Sequence, residues 1–199
     1  SANGTDFSAG LLPQVLWAGG GEELKETKVF FQPNIPTEEI FTTPMRGDAE
    51  GKVVASKPLS YQGQLIDKFW IEFEAGKAVR WGAEQGEELL GTMLTMDEGA
   101  AYLGELALVP FESPVNQKGY LFWNTLYDEN ACCHLAVGRG FTNLVKDYDQ
   151  YTREELVAMG LNESMIHVDF MIGTADLDID GEKADGTLVP IFRGGTWAF

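Results

Sequence analysis

Short apolar runs broken by Gly, Pro and Asp recur along the chain, the spacing of a strand-rich protein. The runs that predict strands are 28–32, 52–56, 69–74, 78–81, 105–109, 120–123, 165–172 and 177–180. Two of them read as a hairpin. Trp70-Ile71-Glu72-Phe73-Glu74 and Val79-Arg80-Trp81 flank Ala75-Gly76-Lys77, where the glycine can take the positive φ of a tight turn. Helical patterns are fewer, at 86–93, 97–103, 128–137 and 152–159. The last is the clearest: Thr152 and Glu155 form a capping-box pattern, Leu156 and Met159 give an apolar stripe, and Gly160 sits where a C-terminal cap belongs. With no internal repeat and no linker-like stretch, residues 1–199 read as a single α+β domain, a mixed, β-rich sheet with a few flanking helices.

Composition narrows the partners. Hydrophobic residues at 44% and charged residues at 23% are ordinary for a globular protein. A net charge of −17 disfavours nucleic acid and anionic membranes, since both are bound through Lys and Arg. No apolar run approaches the roughly 20 residues that span a bilayer, so no membrane partner is expected. Cys132 and Cys133 are neighbours, which ordinary disulfide geometry forbids, and a reducing, cytoplasmic setting is expected. The start at Ser1-Ala2-Asn3, without an initiator Met, points to a fragment of a longer protein.

Few residues can carry chemistry. In Ile166-His167-Val168-Asp169-Phe170 an extended backbone points His167 and Asp169 to one face, so two metal-ligand types share it. The same pattern suits a His–Asp hydrogen-bonded pair on a half-buried strand. His134, the other histidine, lies in Asp128-Glu129-Asn130-Ala131-Cys132-Cys133-His134 and reads either as a ligand or as a core imidazole held by a carbonyl. Glu105 opens the apolar run Glu105-Leu106-Ala107-Leu108-Val109, where a carboxylate needs a partner. Glu38-Glu39 precedes Ile40-Phe41 and reads as a solvated turn or as further ligands. Carboxylate and imidazole together suit zinc, cobalt or manganese. The glycine run Gly19-Gly20-Gly21 is followed by Glu22-Glu23 and lacks the Lys-Ser/Thr of a phosphate loop. A Cys133–His134 nucleophile is disfavoured, because adjacent side chains diverge.

Longer stretches carry a resemblance. Asn34-Ile35-Pro36-Thr37-Glu38-Glu39, Tyr61-Gln62-Gly63, Gly104-Glu105-Leu106-Ala107-Leu108-Val109-Pro110, Asn124-Thr125-Leu126-Tyr127-Asp128-Glu129-Asn130 and Asn162-Glu163-Ser164-Met165-Ile166-His167-Val168-Asp169-Phe170-Met171-Ile172-Gly173 resemble the thermophilic-type metallo-aminopeptidases, the aminopeptidase T, aminopeptidase S and PepS group. The resemblance covers nearly the whole chain and corresponds to the C-terminal, metal-binding part of those proteins, without their N-terminal domain. It implies Glu39, Glu105, His134, His167 and Asp169 as ligands of two divalent metal ions, bridged by a carboxylate and water. It further implies peptide substrates with a free N-terminus and a homodimer.

Glu38, next to a ligand, is the candidate general base, provided that 36–40 forms a turn. One departure is Phe141, seven residues after His134, where the family often has Tyr. If the helical pattern persists, position 141 shares a face with His134; if it ends at Gly138 or Gly140, Phe141 is a core residue. The competing reading is a non-catalytic metal-binding or dimerisation domain.

Overall fold

A computed structural model describes residues 1–32 and 37–199. Among these residues, one antiparallel sheet joins Asp6–Leu11, Pro44–Val54, Gln64–Glu74, Leu59–Tyr61 and Lys77–Gln85. Alternation builds it: Phe69, Ile71 and Phe73 are buried while Lys68, Glu72 and Glu74 lie toward solvent. The expected hairpin forms with longer strands and a two-residue turn, Glu74 pairing with Lys77 across Ala75 and Gly76. Both turn residues have positive φ, 47° and 78°, the geometry that matches strand twist. A Cβ on Gly76 would lie 2.3 Å from the Cα of Gly47, so glycine is required there.

The second sheet is also antiparallel, in the order Ala18–Gly19, Ile40–Thr42, Leu103–Leu108, His134–Gly138, His167–Met171. One face, with Leu108, Leu135, Val137, Val168 and Phe170, joins the other sheet's residues in the main core, where the Phe69 and Phe170 rings sit 5.7 Å apart. Each fully buried side chain of this kind contributes about 1.5–3 kcal/mol. The opposite face carries the candidate chemistry. A small sheet of Ile179–Glu182, Leu188–Arg193 and Thr196–Trp197 completes the chain.

The α+β, strand-rich class agrees with the expectation. The helix Arg153–Ala158 has its capping box, with Thr152 and Glu155 bonded reciprocally, and Glu87–Leu94 is a helix. Two expected helices are not. In 97–103 the Asp97 carboxylate accepts from the amides of Gly99, Ala100 and Met165 and from the Ser164 hydroxyl, so local bonds replace the helical ladder. In 128–137 the chain passes from the short helix Thr125–Asp128 through a single turn at Glu129–Ala131 into the strand His134–Gly138. That strand is buried on both faces, which erases the polar alternation that marks a strand in sequence. The expected strand 120–123 is an irregular loop, held by Asp128 accepting from the amides of Phe122 and Asn124. Only Phe30–Phe31 of 28–32 is a strand. Asn34, Ile35 and Pro36 of the first family-like motif lie outside the described residues.

Candidate metal centre

Strand register brings five of the six candidate residues together. Glu105 pairs with Ala136 and Ala136 with Asp169, so the two carboxylates stand in one lateral row with an alanine between them. Paired residues in a sheet share a face, as do residues two apart along a strand. His134, two before Ala136, and His167, two before Asp169, therefore face the same side, with Ala107 opposite His134 and Gly138 opposite His167. Small residues at 107, 136 and 138 leave room for the four functional side chains. Glu39, one residue ahead of Ile40–Thr42, reaches the same face. Its amide donates to the Thr37 hydroxyl (3.4 Å), and that hydroxyl donates to Asn130 Oδ1.

The cluster falls into two groups that share Glu105. Glu39, Glu105 and His134 form one, and Glu105, His167 and Asp169 the other. Nε2 of His134 lies 3.1 Å from Glu39 Oε1 and 3.9 Å from Glu105 Oε1. Nε2 of His167 lies 3.0 Å from Glu105 Oε2 and 3.4 Å from Asp169 Oδ1. Each Nδ1 faces a backbone carbonyl, Cys132 O at 3.1 Å for His134 and Arg139 O at 2.7 Å for His167. A carbonyl only accepts, so both Nδ1 atoms carry hydrogen and both Nε2 atoms turn toward the carboxylates, the arrangement seen in metal-ligating histidines.

The electrostatics call for a cation. Burial pushes the Glu105 carboxyl up to about 7, against the hydrogen bond from His167 and the charge of His134. Burial would lower His134 and His167, yet the carboxylates prevail. The Glu39 contact and the charges of Glu105 and Asp169 raise His134 to about 10; the close approach of Asp169 and the hydrogen bond to Glu105 raise His167 to about 11. Burial raises Asp169, and its 3.4 Å contact with the His167 imidazole reverses that, leaving it below the ordinary range. Even so, His134 Nε2 and Asp169 Oδ1 are buried with no hydrogen-bond partner among the described residues. The 3.1 Å approach of His134 to Glu39 is close but not aligned as a hydrogen bond, which leaves that nitrogen without a partner. Orphaned donor atoms amid carboxylates are what a divalent ion would satisfy, so the residues fit one.

Glu38 is not brought in. It lies at a bend ahead of the strand Ile40–Thr42, is exposed whereas Glu39 is buried, and belongs to neither group. A buried acid that the sequence reading quoted without a role lies beside the cluster instead. Glu129 feels the charges of Asp169, His134, Glu39 and Glu105, and burial is the main cause that lifts its carboxyl to about 8. The available signal was its place in the Asp128-Glu129-Asn130 motif just ahead of His134.

Phe141 lies outside any helix, beyond the strand's end at Gly138, so the helix-spacing argument does not hold. Its ring nevertheless packs edge-on to His167 with centroids 5.0 Å apart, and its amide donates to Thr43 Oγ1.

Comparisons with known proteins show the family. Residues 1–197 match the family described as thermophilic metalloprotease (M29). Aminopeptidase AmpS of Bacillus subtilis (strain 168) is 50% identical over 198 residues, covering 100% of this chain and 48% of that protein. Aminopeptidase T of Thermus aquaticus is 47% identical over 194 residues, covering 98% and 47%. A solved structure, wild-type AmpT from Thermus thermophilus, superposes with a TM-score of 0.92 at 43% identity over 98% of this chain and 48% of that one. The chain spans about half the length of the curated relatives it matches. With a family match over almost every residue, the chain belongs to the thermophilic metalloproteases of family M29.

Proposed function

We propose that this chain carries the metal centre of an aminopeptidase that releases N-terminal amino acids from peptides, using two divalent ions, zinc, cobalt or manganese. The observation that supports it best is the pair of carboxylate–imidazole groups sharing Glu105. Glu39, Glu105 and His134 would hold one ion and Glu105, His167 and Asp169 the other. Charge supports the count: apart from Asp128, which backbone amides satisfy, the buried carboxylates are Glu39, Glu105, Glu129 and Asp169, with four negative charges when ionised, which two divalent ions would balance. Bound there, the ions supply Lewis acidity toward water and the peptide carbonyl.

The remaining roles belong to the chain. Glu129 takes the place first considered for Glu38: it is buried beside the cluster and is the carboxylate suited to accept the proton of the attacking water. The acidic surroundings favour the approach of a substrate ammonium group. Burial of four of the five ligand residues keeps bulk water from screening these charges. The proposal retains a cytoplasmic homodimer, and the two buried free thiols agree with a reducing compartment. No helix among the described residues is long and apolar enough to cross a membrane.

A second reading, a metal-binding or dimerisation domain without catalysis, draws on Phe141, whose carbon-only ring stands against His167. Hydrolysis of amino-acid p-nitroanilides by this chain and by a full-length protein, with added cobalt or zinc, separates the two. In the active form, Glu129→Gln should lose turnover and keep its metal, whereas Glu38→Gln should retain turnover; the reverse pattern returns the base to Glu38.

A further inference from the structure

We propose that Arg139 forms a carboxylate-binding subsite beside the metal centre, which gives the enzyme a preference for peptides bearing an acidic group one or two residues beyond the scissile bond. The inference rests on the aminopeptidase reading. Among the described residues, Arg46, Arg80, Arg153 and Arg193 each pair with a carboxylate, at 2.8 Å for Arg46 and 2.5 Å for Arg153. Arg139 has no such partner. Its Nε donates to Ser164 O at 3.2 Å, which holds the guanidinium in place and leaves its terminal nitrogens without a protein acceptor among the described residues. In a chain of net charge −17, an exposed arginine that finds no carboxylate is unusual, and this one adjoins the site.

The connection to the centre is direct. The backbone carbonyl of Arg139 accepts from His167 Nδ1, and the Phe141 ring packs on His167. A cleft of about 360 Å³ opens beyond that ring, lined by Arg139, Gly140, Phe141, Thr142, Arg153 and Glu163. None of the five candidate ligands lines this cleft; His167, the most exposed of them, is joined to its wall through the Phe141 ring and the Arg139 carbonyl. An extended peptide advances about 3.3–3.6 Å per residue, which carries its second or third residue from the centre into this cleft. There the planar guanidinium can accept a carboxylate through paired N–H donors. Arg153 is already neutralised by Glu163, so Arg139 supplies the uncompensated charge. The carboxylate has two possible sources, an acidic side chain or the C-terminus of a short peptide.

The test compares kcat/KM for Leu-Glu-amide against Leu-Gln-amide, and for Leu-Gly-Gly against its C-terminal amide, in the wild type, Arg139→Gln and Glu163→Gln. The carboxylate-bearing member of one pair should be preferred, and which pair responds identifies the source. Arg139→Gln should lower that preference about tenfold, the size of one charge-assisted hydrogen bond at a half-open site. Glu163→Gln should raise it by releasing Arg153. A readout without metal is titration of chelator-treated protein with glutarate, followed by NMR: the Arg139 Nε–H signal should shift in the wild type, and the Phe141 amide shift should vanish in Arg139→Gln. Peptides cleaved with the same preference in Arg139→Gln would overturn the subsite. If no peptide is cleaved at all, the aminopeptidase reading fails and the glutarate titration alone decides: a Phe141 shift that persists in Arg139→Gln, or no shift in the wild type, removes the subsite as well.

Discussion

Glu105 and Asp169 stand two strands apart in one row of the sheet, each paired with Ala136 between them. Adjacent strands lie about 4.8 Å apart, so the carboxylates converge over the alanine instead of meeting side by side. Ala136 is completely buried on the face that carries the candidate ligands. Ala136→Leu should therefore force the two ligands apart, weakening metal binding about 10–100-fold, as disturbance of ligand orientation does, and costing about 1–3 kcal/mol through overpacking. Calorimetric metal titration and thermal melting check both effects; unchanged affinity would show that the alanine does not set the spacing.

The shared carboxylate makes the ligand variants unequal. His167→Ala and Asp169→Ala each remove a member of one group only, so each should bind one ion fewer than the wild type. Glu105→Ala takes a ligand from both groups and should impair both. Elemental analysis of dialysed protein reads the stoichiometry, and two ions retained in both His167→Ala and Asp169→Ala would falsify the assignment.

Metal and protons compete for the same nitrogen atoms, which predicts a pH dependence. In chelated protein His134 and His167 hold their protons up to about 10 and 11, because their carboxylate contacts outweigh burial. A raised imidazole value adds stability that is fully present below the ordinary 6.5 and is lost as pH climbs toward the folded value. Glu105, lifted by burial to about 7, changes in the same direction over a lower range. Asp169, held low, opposes them only under acid conditions. Thermal melts in chelator should thus fall steadily from about pH 7 to pH 10, while a saturating divalent ion, which needs unprotonated Nε2, should flatten the curve. A melting temperature independent of pH in chelator would contradict the buried charge cluster.

Phe141→Tyr asks whether a hydroxyl beside His167 assists the site. The ring already contacts that imidazole, so the phenol would be added next to the centre and not in the distant core. In the full-length enzyme, turnover or metal affinity should rise, by up to about a hundredfold if the phenol acts as an oxyanion donor. Steady-state kinetics with a melting curve resolves it: a loss of about 1–3 kcal/mol with unchanged turnover would mean that the hydroxyl is buried unpaired.

Local signals were legible in the sequence where the deciding physics is local. The capping box at Thr152 and Glu155 and the glycine turn of the 64–85 hairpin depend on residues within a few positions of one another. The alternation of His167 and Asp169 correctly placed both on one face, since a strand's period is independent of its neighbours. The strand at His134–Gly138 was not legible: its Leu-Ala-Val run is buried on both faces, and only pairing with a strand on each side makes it a strand. The same limit separated Glu38 from Glu39 and left Glu129 without a role, because a carboxylate's burial is set by what packs over it and not by its sequence neighbours. The five candidate ligands span positions 39 to 169; the antiparallel register that places Glu105, Ala136 and Asp169 in one row brings four of them to one face, and the pairing of Ile40–Thr42 with Leu103–Leu108 brings Glu39 to them, in two groups that share Glu105.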